Sequence, residues 1–181
     1  MRSRREQILD VAAQLFAKHG YHGVSIADLG AAVGISGPAL YRHFPGKEAL
    51  LEEMLVGISE YLLHGGQALA ALHDPPELVR ELVAFHAEFA TREPELIVVQ
   101  DRDLANLATG PRTKVRRLQR TYVAIWVEAL RPLRPELDVA QLLIVAHATF
   151  GLLNSTPHAG RGRDAAEILQ RMALAALTAK R

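Results

Sequence analysis

The chain has 181 residues, of which 49% are hydrophobic and 23% charged, the balance of an ordinary folded protein and not of a disordered one. It has no cysteine, which excludes disulfides, thiolate chemistry and zinc–thiolate sites and leaves metal binding to histidine and carboxylates. Net charge is only +1, yet through Lys47 there are six basic and three acidic residues, against fifteen basic and seventeen acidic in the remainder. A small basic headpiece on a slightly acidic body suits a phosphate-binding module joined to a domain with other partners. No apolar run reaches the ~20 residues of a membrane span and MRSRREQILD lacks a signal-like apolar stretch, so the expectation is a cytoplasmic location and no membrane partner.

In chain order, Arg4 to His19 is amphipathic, with Ile8, Val11, Ala12, Leu15 and Phe16 on one face and Gly20 as its stop. Ser25 followed by Asp28 is a capping box, so a second helix begins at Ile26 and ends at Gly34. Ser36 then caps a short third helix with Pro38 in its first turn, where no N–H partner is lost, running on to Phe44 before Pro45-Gly46 breaks it. Two short helices around a glycine turn, packed by Ile26, Leu29, Val33, Ile35 and Leu40, have the pattern of a helix-turn-helix. Gly30 falls where the second helix crosses the first, a place that needs a small residue although glycine weakens a helix by about 1 kcal/mol relative to alanine.

The run Leu40-Tyr41-Arg42-His43-Phe44-Pro45-Gly46-Lys47-Glu48-Ala49-Leu50-Leu51 follows directly. Together with Ile8, Leu9, Ala12, Leu15, Phe16, Gly20 and Tyr21 upstream, it closely resembles the DNA-binding domain of the TetR family of transcriptional repressors. The resemblance covers roughly the first 50 residues. It implies that Tyr41, His43 and Lys47 hold DNA phosphates or base edges, and donors on a short exposed helix and at the next helix's start suit phosphate oxygens. The DNA-facing set expected is Arg4, Arg5, Ser25, Ser36, Gly37, Pro38, Ala39, Tyr41, Arg42, His43 and Lys47. Gly37, Pro38 and Ala39 offer only close approach and thymine-methyl contact. Arg2, Arg4 and Arg5 form either a minor-groove arm or a solvated terminus. Against the DNA reading stands a core role for Phe44 and for Tyr41.

From Lys47 the apolar pattern continues toward Leu72, and Pro75, Pro94 and Arg112 open three further helices. Gly110-Pro111 separates the last two of these, and Pro132 and Pro135 break the chain before an apolar helix from Val139 to Leu153. A flexible linker from Pro157 to Gly162 precedes a last helix capped by Asp164. The fold expected is all-α with about nine helices: a headpiece over 1–47 and a helical ligand-binding and dimerisation domain over 48–181.

Homodimerisation through the last two helices is implied by the resemblance, with Leu142, Leu143, Ala146, Phe150, Leu153, Ile168, Met172 and Ala175 at the interface. An ordinary buried core is the other reading of the same residues. On the helix from Arg112, the residues Val115, Leu118, Tyr122, Ile125, Trp126 and Ala129 share a face, beside a cluster of arginines. This stretch resembles TetR-type regulators that respond to acyl-CoA thioesters. The expected effector site is Phe85, Phe89, Leu96, Val99, Arg102, Arg116, Arg120, Tyr122, Trp126, His147 and Phe150. The alternatives are an uncharged apolar effector, a core histidine at His147, and a solvated basic face paired with Asp101, Asp103 or neighbouring glutamates.

His19-x-x-His22 has metal-like spacing but straddles a helix end without a common face, so no metal is assigned, and no cofactor. An enzyme would need an activated nucleophile, a phosphate loop or a metal-spaced cluster, and the sequence offers none of these motifs. The function expected is therefore a dimeric repressor of a double-stranded palindromic operator, released by a small-molecule effector. An enzyme and a structural DNA-binding protein without an inducer are the alternatives.

Overall fold

The computed structural model describes residues 3–159 and 163–178. Arg2 and residues 160–162 of the expected linker lie outside them. The described residues are helical throughout, without strands. In order they are α1 (Arg4–His19), α2 (Ile26–Val33), α3 (Gly37–Leu40), α4 (Lys47–Leu72), α5 (Pro75–Arg92) and α6 (Pro94–Asp103), then a 3-10 turn (Leu104–Asn106), α7 (Thr109–Leu130), α8 (Val139–Leu153), α9 (Thr156–Ala159) and α10 (Arg163–Thr178).

Two compact units emerge: one runs to Ile58 and takes in Glu95–Val115, the other holds Ser59–Pro94 and the chain from Arg116 on. The unit containing the headpiece is thus larger than residues 1–47, and α4 and α7 contribute residues to both.

In the first unit α2 packs against α1 and α3, over a core that includes Ile8, Phe16, Leu29, Leu40 and Phe44. Helix α1 starts at a capping box not read from the sequence, in which Ser3 and Glu6 satisfy each other's backbone N–H groups. The expected box at Ser25 and Asp28 is formed, and Gly34 ends α2 in the left-handed region at φ 73°. Helix α3 is shorter than expected. It stops at Leu40, and the chain tightens into three-residue turns, Arg42 N–H to the Ala39 carbonyl at 3.3 Å and His43 N–H to that of Leu40 at 2.9 Å.

In the second unit α10 lies against α5 and α8. One stripe of α10, Leu169, Ala173 and Leu177, is buried, while Ile168, Met172 and Ala175 face outward. Three boundaries differ from the sequence reading. Helix α7 begins before Gly110-Pro111, because proline is tolerated in a first turn and Arg112 N–H reaches the Ala108 carbonyl at 3.0 Å. The start of the expected linker forms the one-turn α9, anchored by the Thr156 hydroxyl donating to the Ala90 carbonyl at 2.6 Å. Asp164 lies inside the first turn of α10 and not at its cap.

Residues 139–158 reach the length and hydropathy of a membrane span, 20 residues at a mean hydropathy of 1.3, which the sequence reading had not credited. The helix proper ends at Leu153, and Leu142, Ala146 and Leu153 are buried in the protein's own core.

Candidate nucleic-acid interface

The candidate surface is α3 and the turn after it. Gly30 lets α2 and α3 meet: a Cβ there would stand 2.8 Å from the Ile35 carbonyl oxygen and 3.4 Å from the Gly37 nitrogen. Serines at both helix starts are occupied as caps. Ser25 donates from its hydroxyl and its N–H to Asp28 Oδ2 at 2.6 and 2.8 Å, and the two bonds hold the Asp28 carboxyl below its ordinary range. Ser36 Oγ accepts from Ala39 N–H at 3.3 Å. Beyond them Tyr41 is 55% exposed and Arg42 is exposed, while His43 is half-buried and Phe44 wholly buried. The two alternatives for these aromatics therefore divide: Phe44 is core, and Tyr41 is surface. The turn presents a phenol and a guanidinium to solvent, beside a leading edge of Gly37, Pro38 and Ala39 without polar side chains.

Three expected DNA contacts are engaged within the first unit. Arg5 pairs with Glu53, donates to the His43 carbonyl and lies 4.0 Å from the centre of the Phe44 ring; the hydrogen bond to Glu53 raises its pKa further. It fastens the turn after α3 and is not a loose arm. Arg4 donates to Gln7 Oε1 at 3.1 Å and weakly to the Val33 carbonyl at 3.5 Å. Lys47 Nζ donates to the carbonyls of Tyr21 and Val24 at 2.8 and 3.0 Å and sits 4.3 Å over the Tyr21 ring. A lysine at a helix start reads equally well as a phosphate donor or a strut, and only the position of the α1–α2 turn decides between them.

Arg102, expected at an effector, closes the end of α1 instead. Its guanidinium donates to the Phe16 carbonyl, which also accepts from the Gly20 N–H at 2.8 Å, and to that of Ala17 at 3.2 Å, an acceptor that the last turn of a helix leaves open. Buried Asp103 balances the charge at 3.0 Å and accepts from Asn106 Nδ2 at 3.4 Å. Asn106 Oδ1 in turn lies 2.8 Å from His22 Nε2, so that histidine is bound to an amide. Among the described residues no cluster of three or more potential ligands could hold a metal.

The remaining effector candidates divide between the units. Leu96 and Val99 belong to the first, with Arg102. In the second, Tyr122, Trp126 and Phe150 surround His86, with Phe89 at its edge and Phe85 against Tyr61. His86 Nε2 lies 3.0 Å from Asn154 Oδ1, which leaves Nδ1 of the neutral ring to accept from the Tyr122 hydroxyl at 3.3 Å. Burial drives the His86 pKa down to about 4, opposed by the bond to Asn154. Burial also pushes the Tyr122 hydroxyl well above its ordinary value, and the nearby Trp126 indole offsets this only in part. The indole N–H is itself buried and makes no aligned hydrogen bond. His86 was missed from the sequence, although it continues the buried stripe Leu82, Val83, Ala87, Phe89 and Ala90 of α5. His147 stands at the rim of this cluster, its ring centre 6.3 Å from that of Phe150, and is exposed on α8, near Arg116 and Arg120 of α7.

The expected dimer set also divides. Leu142, Ala146 and Leu153 are buried within the protomer and belong to its core, and the half-buried Phe150 packs 4.9 Å from Trp126. Leu143, Ile168, Met172 and Ala175 are exposed, joined by Ile144 at 68%.

Residues 8–54 match the profile of bacterial regulatory proteins of the tetR family, and residues 73–177 match that of the tetracyclin repressor-like C-terminal domain. The transcriptional repressor KstR2 of Mycobacterium tuberculosis is 27% identical over 145 residues, 76% of this chain and 72% of that protein. A TetR-family regulator from Bordetella parapertussis superposes with a TM-score of 0.89 at 25% identity, covering 98% of this chain and 95% of that one. AibR, in complex with isovaleryl coenzyme A and operator DNA, has the same fold, with a TM-score of 0.75 at 21% identity over 94% of this chain and 97% of its own. With both profiles accounting for its two halves, the chain belongs to the TetR family and is a transcriptional regulator, not an enzyme.

Proposed function

We propose that this regulator is a cytoplasmic dimeric repressor that holds a palindromic operator through α3 and the turn after it, and leaves the operator when an acyl-CoA-type effector binds its helical body. The observation that carries the DNA reading is the exposed pair Tyr41 and Arg42, held beyond a fixed α2–α3 crossing on a turn pinned by Arg5. Donors presented this way meet phosphate oxygens and base edges, while Gly37, Pro38 and Ala39 allow close approach to the groove floor.

The exposed apolar side chains Leu143, Ile144, Ile168 and Met172 support the dimer, because a two-fold axis through them would bury them and present two recognition turns to successive major grooves. The effector class rests on the fold shared with AibR, whose structure contains isovaleryl coenzyme A, and on the arginines along α7. Titrating a complex of the protein with a palindrome from its own upstream DNA tests the reading. Coenzyme A thioesters should release the DNA at concentrations where the matching free acids do not; equal release by the free acids would favour an uncharged-tail effector instead.

A further inference from the structure

Glu95–Val115 belongs to the same compact unit as the headpiece, although the sequence reading placed this stretch in the helical body. Ile97, Val99, Leu107 and Val115 are buried along it, so it is packed and not a loose strap. Its polar side chains converge on the end of α1 and the turn that leads to α2. Arg102 donates to the carbonyls of Phe16 and Ala17, where a guanidinium suits both the negative end of the helix dipole and an acceptor left open by the last turn. Asp103, itself buried, holds that guanidinium at 3.0 Å. Three residues on, Asn106 Oδ1 takes the His22 ring nitrogen at 2.8 Å.

The same turn is tied again by Lys47, whose Nζ donates to the Tyr21 and Val24 carbonyls at 2.8 and 3.0 Å. It has little room for another shape, because a Cβ on Gly23 would collide with the His19 carbonyl oxygen. Buried Val24 ends the turn and Ser25 caps α2 directly after it, so the place of the turn decides where α2 begins. Helix α2 then meets α3 at Gly30, a crossing without space for a Cβ. A shift at the end of α1 is therefore handed on to α3 and to the exposed Tyr41 and Arg42 beyond it.

We propose that Arg102, with Asp103 and Asn106, is a positioning latch for DNA binding. It touches no DNA. It holds the end of α1 and the α1–α2 turn in the arrangement that presents α3 to the groove, and opening it lowers operator affinity without removing a DNA contact. The surface that reads DNA is thus supported by a unit discontinuous in sequence, Met1–Ile58 together with Glu95–Val115. The proposal rests on the DNA reading of the α3 turn given above and extends it to residues distant in the chain.

Anisotropy titration of a labelled palindrome from the upstream DNA tests the latch, using the full chain at several salt concentrations and well below each variant's melting temperature. The variants are Arg102→Met/Asp103→Asn, which removes the guanidinium without leaving a buried carboxylate unpaired, Arg102→Lys and Asn106→Ala. The double variant should lose about tenfold in affinity, a size reached by residues that act on a site without touching its ligand. Its log–log salt slope should equal that of wild type, since no phosphate contact is lost. Arg102→Lys, with one prong in place of a fork, should fall between the two, and Asn106→Ala should lose about threefold. Hydrogen exchange should quicken in the double variant at the Gly20 and Gly23 amides, which donate to the Phe16 and Gly20 carbonyls at 2.8 and 3.2 Å.

Wild-type affinity in both the double variant and Asn106→Ala, even with a lowered melting temperature, would make the network a merely structural tie and overturn the latch while leaving the DNA reading intact. A salt slope flatter by about one unit in the double variant would make Arg102 a phosphate contact and overturn it as well. Wild type that does not bind the palindrome at any salt concentration would remove both readings. If the double variant does not fold, Arg102→Lys and Asn106→Ala decide, and wild-type affinity in both overturns the proposal.

Discussion

The imidazole of His86 lies nearly parallel to the phenol ring of Tyr122, with centroids 5.9 Å apart and planes 15° from each other. Because His86 is fully buried and neutral, its pKa falls from 6.5 to about 4. An unfolded chain therefore binds a proton that the folded one refuses between those values. The stabilisation from the neutral imidazole is fully present above pH 6.5 and is lost as pH falls toward 4, on the order of 3 kcal/mol in all. Urea unfolding at pH 7 and pH 4.5 should show a lower midpoint in acid, and His86→Gln should flatten that part of the difference. A His86→Gln protein with the full wild-type acid sensitivity would assign the effect to other groups.

Two glycines of α4 should respond in opposite directions. A Cβ on Gly66 would stand 2.7 Å from Cε2 of the buried Tyr122 ring, whereas one on Gly57 would meet nothing within 4 Å. Gly66→Ala should cost about 1–3 kcal/mol through overpacking. Gly57→Ala should gain up to about 1 kcal/mol from helix propensity alone. Denaturant midpoints of the two variants give the comparison directly.

Lys47 and Arg42 should separate stability from phosphate binding. Lys47 Nζ is held by two backbone carbonyls, so Lys47→Met should lower headpiece stability by about 1–2 kcal/mol. It should barely change the slope of DNA affinity against salt. Exposed Arg42 should do the reverse: Arg42→Ala keeps the melting temperature and flattens the log–log slope by about one unit. A slope reduced by Lys47→Met and untouched by Arg42→Ala would exchange the two roles.

Dimerisation should be sensitive at Ile144, which is 68% exposed in the protomer. Ile144→Glu should leave the protomer as stable as before and shift sedimentation toward monomer, because an unpaired charge in an isologous interface is costly. Phe150→Arg is no test of the interface, since that ring packs between His86 and Trp126 and its loss damages the core. A tight dimer of Ile144→Glu at micromolar concentration would move the interface off this face.

Much of the headpiece is written locally, which is why it was legible. A capping box, a left-handed glycine and a proline in a first turn act over three or four residues, and Ser25, Gly34 and Pro38 do what their positions imply. Glycine at position 30 also declared the close crossing of α2 and α3. What the sequence did not disclose depends on residues far apart in the chain. Arg5 meets Glu53, Arg102 meets the end of α1, and His86 meets Asn154, pairs separated by 48, 86 and 68 positions. A long polar side chain reads the same whether it ends in solvent, on a phosphate or on a distant carbonyl. Helical periodicity likewise put Leu142, Leu143, Ala146 and Phe150 on an apolar helix without saying which side was core. An all-apolar helix has no polar face to mark its outside.

The most direct test of the account is fluorescence anisotropy of a labelled palindrome from the upstream DNA, titrated at several salt concentrations with wild type and with Tyr41→Ala/Arg42→Ala. Wild type should bind saturably, with a steep inverse dependence on salt and a clear preference for the palindrome over scrambled duplex. The double variant should keep its melting temperature and lose at least tenfold in affinity. Equal binding by the two proteins, or no binding by wild type even at low salt, would contradict the assignment of the α3 turn as the surface that reads DNA.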